Sequence, residues 1–404
     1  SAAPNPTSNG VIGVSVWFSE PVTGFADTDI TTGNCVVANF AVVDATNCTF
    51  DLVTATNLVT VTADIAGGVC AAPAGNPNMA AVQLSRYYDN LQPVVVMSSS
   101  APDPTSNNVI SVSVMFNKDV FGFTNTDITA GNGVVSNYTT LSGSNYTFDL
   151  VATNQGLVTA DIAAGVCTDA AINPNMAATQ LSRVYDSVLP AVWMTSGAPN
   201  PTSNGVIGVS VWFSEPVIGF TNTDITTGNC VVANFAVVNA TNCTFDLVAA
   251  GQGLVTAGIG AGVCADPASN LNTAAVTYSN VYDSVSPAAW LTSGAPNPTS
   301  NGTINVSVWF SEPVIGFTNT DITAGNGVVA NFAVVDATNY TFDLVAAGQG
   351  LVTAGIGAGV CADPAGNPNT AAVTYSNVYD SVSPAVWLTS GAPNPTSNGT
   401  INVS

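Results

Sequence analysis

A repeat of 97 or 98 residues runs through the whole chain. The segment Ala-Pro-Asn-Pro-Thr-Ser-Asn-Gly begins at Ala3, returns in altered form at Ala101, and recurs at Ala198, Ala295 and Ala392. A fixed period restricts the architecture, because every copy must solve the same packing problem and meet its neighbours in the same way. The period therefore predicts a tandem array of similar domains and not one large globule.

The domains are predicted from the phase of this repeat. They are residues 1–90 (repeat one, first strand missing), 91–187 (repeat two), 188–284 (repeat three), 285–381 (repeat four) and the start of an incomplete fifth repeat at 382–404. The 97-residue copies that begin at Ala198 and Ala295 differ at nine positions. Copies so similar argue against catalytic specialisation of any one of them.

Each copy has the pattern of strands and turns. Short runs of alternating apolar and polar residues are separated by clusters of Gly, Pro, Asn and Asp, and no segment has an apolar stripe of helical period. This pattern is typical of an all-β sandwich. In repeat four the predicted strands are 288–292, 303–310, 327–335, 340–345, 351–356 and 371–378.

The linkers between the copies have the sequence Tyr-Asp-Ser-Val-Ser-Pro or a close variant, at 88–93, 185–190, 282–287 and 379–384. Proline restricts its own backbone and that of the residue before it, so each joint is predicted to be short and stiff. We therefore expect an extended rod in which each domain contacts chiefly its neighbours.

Composition excludes several classes of function. Three basic residues against 25 acidic ones give a formal charge of −22, which repels nucleic acid and anionic lipid alike. With no His and one Lys, the usual general bases and nucleophile activators are nearly absent, so the chain is not expected to be an enzyme. No run approaches the roughly 20 apolar residues of a membrane helix.

Short motifs recur in the repeats. They are Phe-Ser-Glu-Pro-Val (213–217), Gly-Phe-Thr (219–221), Asp-Ile-Thr (224–226), Tyr-Thr-Phe (340–342), Ala-Gly-Val (358–360), Asp-Pro-Ala-Gly-Asn (363–367) and Asn-Thr-Ala-Ala (369–372). With these motifs the chain resembles the bacterial immunoglobulin-like (Big-type) tandem repeats of large surface adhesins and cell-surface proteins. The resemblance implies Greek-key β-sandwiches and an extracellular or cell-surface location. Two positions depart from it, since Ala72 replaces the Asp of repeats three and four and Lys118 replaces the Glu of Ser-Glu-Pro.

Four cysteines occur as two pairs. In repeats two and four both members of the pair are replaced together, by Gly and Tyr, which favours side-chain neighbours and hence a disulfide in an oxidising compartment. The alternative is two independent buried thiols. The predicted disulfides join Cys35 to Cys48 and Cys230 to Cys243.

The other four cysteines recur once per repeat. Equivalent points on consecutive sandwiches are too far apart for a disulfide within one chain. Two hypotheses remain, a buried apolar filler and a crosslink between adjacent chains. These residues are Cys70, Cys167, Cys264 and Cys361.

Tryptophans alternate with apolar residues on two strands of the repeat, so that they face outward if the apolar set faces the core. If the two strands pair, both rings lie on one outer face. The hypotheses are ordinary surface rings, a lateral contact between chains, and sugar stacking. The residues are Trp17, Trp193, Trp212, Trp290, Trp309 and Trp387.

Acidic residues recur at the joints. The linker Asp, the Glu of Ser-Glu-Pro and the Asp of Asp-Pro-Ala offer oxygen ligands of the kind that Ca²⁺ prefers, as in adhesin stalks that this sequence resembles. The alternative is turn Asp residues that accept backbone N–H groups. The candidate ligands are Asp186, Asp283, Asp380, Glu215, Glu312, Asp266 and Asp363.

The sequence is compatible with three functions. The first is an extracellular structural protein, a repeat segment of a surface filament, sheath or layer that self-assembles through repeated side contacts. The alternatives are the stalk of a giant adhesin, which stays monomeric, and a repeated carbohydrate-binding module, whose glycan affinity grows with copy number.

Overall fold

The computed structural model describes all 404 residues and consists of β-strands and loops. Its helices are four three-residue 3₁₀ turns, so none can span a membrane. The chain divides into two compact units, 1–189 with 265–270, and 190–264 with 271–404. The fold is thus all-β, as predicted.

The first unit carries the strands of repeats one and two. Those of repeat one are β1 Val11–Trp17, β2 Ile30–Gly33, β3 Val36–Asp44, β4 Asn47–Val53, β5 Val59–Ile65 and β6 Leu84–Tyr88. Those of repeat two are β7 Val95–Ser98, β8 Val109–Phe116, β9 Ile128–Gly131, β10 Gly133–Thr140, β11 Asn145–Ala152, β12 Gly156–Ile162 and β13 Leu181–Tyr185.

The second unit carries the strands of repeats three and four. Those of repeat three are β14 Val192–Thr195, β15 Val206–Phe213, β16 Ile225–Gly228, β17 Cys230–Asn239, β18 Asn242–Ala249, β19 Gly253–Ile259 and β20 Tyr278–Tyr282. Those of repeat four are β21 Ala289–Thr292, β22 Thr303–Phe310, β23 Ile322–Gly325, β24 Gly327–Val334, β25 Asn339–Ala346, β26 Gly350–Ile356 and β27 Tyr375–Tyr379.

Each complete repeat has one four-stranded and one three-stranded antiparallel sheet. In repeat four the orders are β21-β22-β25-β24 and β23-β26-β27. Lettered A to G along the chain, these are the sheets ABED and CFG of a constant-type immunoglobulin sandwich. In repeat one the two sheets have three strands each, β1-β4-β3 and β2-β5-β6, and strand A is missing from the first. The structure therefore confirms the tandem Ig-like fold.

The core of repeat four shows why the alternating sequence folds in this way. On β22 every second residue is buried, ending at Phe310, and the residues between face outward. Phe342 and Leu344 of β25 pack against the same core, together with Val352 of β26, and each of these three side chains is fully buried. Burial of one such side chain stabilises the fold by about 1.5–3 kcal/mol, so alternation sets which face of each strand turns inward.

Most predicted strands of repeat four are found within one or two residues of their expected ends. The short strand β23 was not predicted, because four residues are too few to show an alternating pattern. The predicted strand 371–378 begins only at Tyr375, and Val373 within it is almost fully exposed. Residues 382–404 form no strand, although Thr389 and Ser404 exchange two backbone hydrogen bonds.

Candidate cation site and tryptophan face

Three aspartates recur at equivalent positions of every repeat, and in repeat four they are Asp321, Asp343 and Asp283. The first two hold the backbone in shape. Asp321 accepts the Thr318 N–H at 2.7 Å and closes the 3₁₀ turn before β23. Asp343 on β25 accepts the Asn331 side-chain N–H at 2.8 Å, across a β-bulge in β24 at which Asn331 has a φ of 49°. Both carboxylates therefore accept local hydrogen bonds, Asp321 from a backbone N–H in a turn and Asp343 from a side-chain amide at the bulge.

The third recurring aspartate lies in an acidic cluster at the joint of repeats three and four. Asp283 follows β20, Glu312 follows β22, and Asp363 lies in the loop between β26 and β27. One carboxylate oxygen from each lies within 4.8 Å of the others. Asp363 is 1% exposed, while the other two are half-buried. The structure thus brings together three residues that the sequence proposed as ligands.

Asn367 holds this cluster in position. Its backbone N–H donates to Asp363 Oδ1 at 2.8 Å, and its side-chain amide donates to Asp363 Oδ2 at 2.8 Å and to the Asp283 carbonyl at 2.7 Å. One amide therefore fastens the linker to repeat four. Asn367 is the last residue of the Asp-Pro-Ala-Gly-Asn motif, but the motif alone does not predict this bond to the linker.

The electrostatics of the cluster are unfavourable without a counter-charge. Glu312 Oε1 is buried and has no hydrogen-bond partner, and burial together with the nearby Asp283 and Asp363 raises the pKa of the Glu312 carboxyl. No Lys or Arg forms an ion pair with it. Three oxygen ligands with no His or Cys are suited to a hard cation of the Ca²⁺ type.

In repeat two the equivalent place is filled by a lysine. Lys118 Nζ lies 2.9 Å from Asp89 Oδ2 and 3.0 Å from Asp169 Oδ2. Asn173 donates to Asp169 Oδ2 at 3.0 Å and to the Asp89 carbonyl at 2.8 Å, as Asn367 does in repeat four. The same loop structure therefore surrounds a positive charge here.

The remaining candidate ligands retain parts of this arrangement. Asp266 is buried and accepts two bonds from Asn270, whose amide also donates to the Asp186 carbonyl. Glu215 is the sequence equivalent of Glu312. Asp380 accepts the Val382 N–H at 2.9 Å.

The second candidate site is a face with paired tryptophans. Trp193 lies directly opposite Trp212 on β14 and β15, and Trp290 lies opposite Trp309 on β21 and β22. All four rings face away from the core and are 38–45% exposed. The predicted pairing of the two strands and the common outer face are both present. In repeat two Val96 and Met115 occupy the pair.

The other two tryptophans have no ring beside them. Trp17 on β1 is 71% exposed, because repeat one has no first strand to bring a partner. Trp387 lies in the segment 382–404, which forms no strand. Val386 and Leu388, on either side of it, are largely exposed, so the apolar residues that flank Trp387 do not face a core.

The predicted disulfides are not formed, and all eight cysteines are free. In repeat three Cys230 pairs with Ala249, whereas Cys243 pairs with Val237. Six positions along β18 separate the two sites by about 20 Å, and a disulfide needs Cα atoms within about 7 Å. Cys35 and Cys48 are kept apart by the same register. Nothing in the structure explains why Gly and Tyr replace both cysteines together.

The four cysteines that recur once per repeat are buried in the cores, at 4–7% exposure. Burial is the main cause that raises the pKa of Cys167, Cys264 and Cys361 to about 11. A buried thiol cannot meet one on another chain without local unfolding. The structure therefore favours the filler interpretation of Cys70, Cys167, Cys264 and Cys361 over a crosslink between chains.

Comparison with protein families gives one match. Residues 89–185 and 283–380 match the model of a bacterial Ig-like domain. These segments cover repeats two and four together with their preceding linker aspartates. A search of the curated proteins finds no match.

Among solved structures, the chain is similar to three bacterial proteins. They are the Escherichia coli adhesin FdeC (9% identity, TM-score 0.35, 71% of this chain and 96% of that chain), invasin, described as a bacterial integrin-binding protein (10%, 0.38, 91% and 79%), and InvD of Yersinia pseudotuberculosis (11%, 0.35, 72% and 98%). Identities and scores this low carry no argument about function.

Proposed function

We propose that this chain, whose second and fourth repeats are bacterial Ig-like domains, is an extracellular structural segment that associates side by side with further copies of itself. The observation that carries the proposal is the outward pair of tryptophans, repeated with the same register in repeats three and four. A contact made once per repeat adds up along two chains, because the second contact is effectively intramolecular once the first has formed.

The chemistry of this face favours a second copy as the partner. A net charge of −22 makes two copies repel each other, so they can approach only where the surface carries little charge. The residues beside the tryptophans on these strands are uncharged, with Thr195 opposite Ser210 and Thr292 opposite Ser307. Aromatic rings are enriched at protein interfaces, and each ring buries a large apolar area.

The test is sedimentation velocity of the full chain over a wide concentration range. Replacement of Trp193, Trp212, Trp290 and Trp309 by Ser is expected to abolish association. The matched control replaces Leu254 and Leu351, exposed residues on the opposite sheets, by Ser and is expected to leave association intact. A wild-type chain that remains monomeric at every concentration contradicts the proposal.

A second candidate is the stalk of a cell-surface adhesin, and the acidic cluster at Asp283, Glu312 and Asp363 favours it. A divalent cation bound there would tie the linker to repeat four and stiffen the joint. The test is the melting temperature of the full chain with Ca²⁺ and with EGTA. We expect Ca²⁺ to raise it, since a ligand that binds only the folded state stabilises that state. An unchanged melting temperature contradicts the cation site.

A repeated carbohydrate-binding module would use the same tryptophan pairs for sugar stacking. Glycan binding to monomeric chain that is lost on replacement of the four tryptophans would support this function in place of self-association. We do not propose a catalytic function. The chain has no His, and the same residues recur in each repeat, which favours a repeated surface over an active site.

A further inference from the structure

The joint before repeat two and the joint before repeat four differ at one sequence position. It holds Lys118 in repeat two and Glu312 in repeat four, two periods of 97 residues apart. The surrounding acidic residues are the same in both places, with Asp89 and Asp169 in one and Asp283 and Asp363 in the other.

The Lys118 ammonium lies in a cage of oxygen atoms. Its Nζ donates to Asp89 Oδ1 at 3.1 Å and Oδ2 at 2.9 Å, to the Leu91 carbonyl at 2.7 Å, and to Asp169 Oδ2 at 3.0 Å. Carboxylates and a backbone carbonyl are also the ligands that Ca²⁺ takes in proteins. The cage in repeat two is therefore the ligand set of a hard cation, filled by a side chain.

The charges of the two sites balance in the same way if repeat four binds a divalent ion. In repeat two, two carboxylates and one ammonium leave a net charge of −1. In repeat four, three carboxylates and one divalent cation also leave −1, whereas a monovalent ion would leave −2. The exchange of Lys for Glu thus requires two further positive charges to restore the same local field.

The frame around both sites is also the same. Asn173 and Asn367 each donate to the buried Asp of their own loop and to the carbonyl of the preceding linker Asp. The position of the Leu91 carbonyl is occupied by Val285 in repeat four. The two loops therefore differ chiefly in the source of the positive charge.

We propose that Lys118 is a built-in replacement for a divalent cation, so that the joint before repeat two is held without metal while the joint before repeat four requires it. This inference rests on the cation site proposed above for Asp283, Glu312 and Asp363. One array then contains two classes of joint, and removal of calcium loosens only those that lack a lysine.

The test counts the calcium ions bound per full-length chain by titration calorimetry. Lys118→Glu places three carboxylates in the first cage and is expected to raise the count by one, whereas Glu312→Lys is expected to lower it by one. Arg183→Glu changes the charge of repeat two equally. It is the matched control and should add no ion, because Arg183 contacts the carbonyls of Ala101 and Ser99 and no carboxylate.

Hydrogen exchange of the linker amides provides a second readout if a variant folds poorly. In EGTA, residues 89–93 of the wild-type chain should stay protected while residues 283–287 exchange faster, and Glu312→Lys should restore their protection. An unchanged calcium count in Lys118→Glu, or the loss of one ion from the wild-type count in Asp169→Asn, overturns the inference. A wild-type chain that binds no calcium overturns the cation site itself.

Discussion

Trp290 lies directly opposite Trp309 on two antiparallel strands, and both rings face away from the core of repeat four. Residues in such a cross-strand pair are neighbours, so the two tryptophans lie on one outer face of the sheet. Repeat two carries the same backbone register with Val96 opposite Met115, and this repeat is therefore a natural site for a gain of function.

Extension of the tryptophan face to repeat two should strengthen self-association. The double substitution Val96→Trp and Met115→Trp adds a third pair to each chain, and we expect the apparent dissociation constant to fall about tenfold or more. Sedimentation velocity measures it. An unchanged constant would show that the tryptophan pairs are not the contact surface.

Asn331 should stabilise the bulge of β24 in two separable ways, through its positive φ and through its bond to Asp343. Asn331→Ala loses both and is expected to destabilise repeat four by about 2–3 kcal/mol, whereas Asn331→Gly loses only the bond and should cost about 1 kcal/mol. Hydrogen exchange of repeat four under denaturant measures the two losses. Equal losses would contradict the role of the backbone conformation.

In EGTA, repeat four should become more stable as the pH falls through the raised pKa of Glu312 towards the lower pKa of a Glu in the unfolded chain. Burial, Asp283 and Asp363 raise the pKa of Glu312 in the folded chain. Ionised Glu312 thus destabilises the fold above that pKa, and protonation relieves the effect as the pH falls towards the unfolded value. Glu312→Gln should remove this pH dependence, as measured by hydrogen exchange, and its persistence in the variant would contradict the assignment.

Repeat two should respond to acid with the opposite sign. Burial acts to raise the pKa of Asp169, but hydrogen bonds from Asn173 and Lys118 outweigh it and lower that pKa. The ionised Asp169 carboxylate therefore stabilises the fold above the pKa of an unfolded Asp, and this stabilisation is lost as the pH falls through the pKa of Asp169 in the folded chain. Hydrogen exchange of repeat two should therefore show no gain in stability over the range in which repeat four gains it.

All eight cysteines should be free thiols that react slowly in the native chain. The core positions and the raised pKa values of Cys167, Cys264 and Cys361 leave little thiolate at neutral pH. Titration with a thiol reagent should detect eight thiols after denaturation without reductant. A count below eight would contradict the assignment of all eight cysteines as free thiols.

The sequence predicted the sandwich because alternation over seven or eight residues marks each long strand, as on β22. It also predicted the tryptophan face and the cluster of Asp283, Glu312 and Asp363, since both follow from strand phase and from residues that recur near the joints. The disulfide prediction failed because it relied on the replacement of both cysteines together in other repeats, and such a replacement does not show which residues lie opposite each other on paired strands. In the register of β17 and β18, Cys230 lies opposite Ala249, which is six residues further along β18 than Cys243. This register depends on the hairpin and on the bulge in β17.

The role of Lys118 could not be read from the sequence for a different reason. Taken alone, a lysine in place of a ligand glutamate argues against a cation site. Only the structure places Asp89 and Asp169 around its ammonium, at the position where we propose that repeat four binds a cation.

The most direct measurement of the central claim is the tryptophan emission of the full chain as its concentration rises. Burial of the four paired rings between chains predicts a shift of the emission to shorter wavelength. The shift should occur at lower protein concentration when added salt screens the charge of −22. Emission that stays at the wavelength of a solvent-exposed indole at every protein and salt concentration would contradict association through this face.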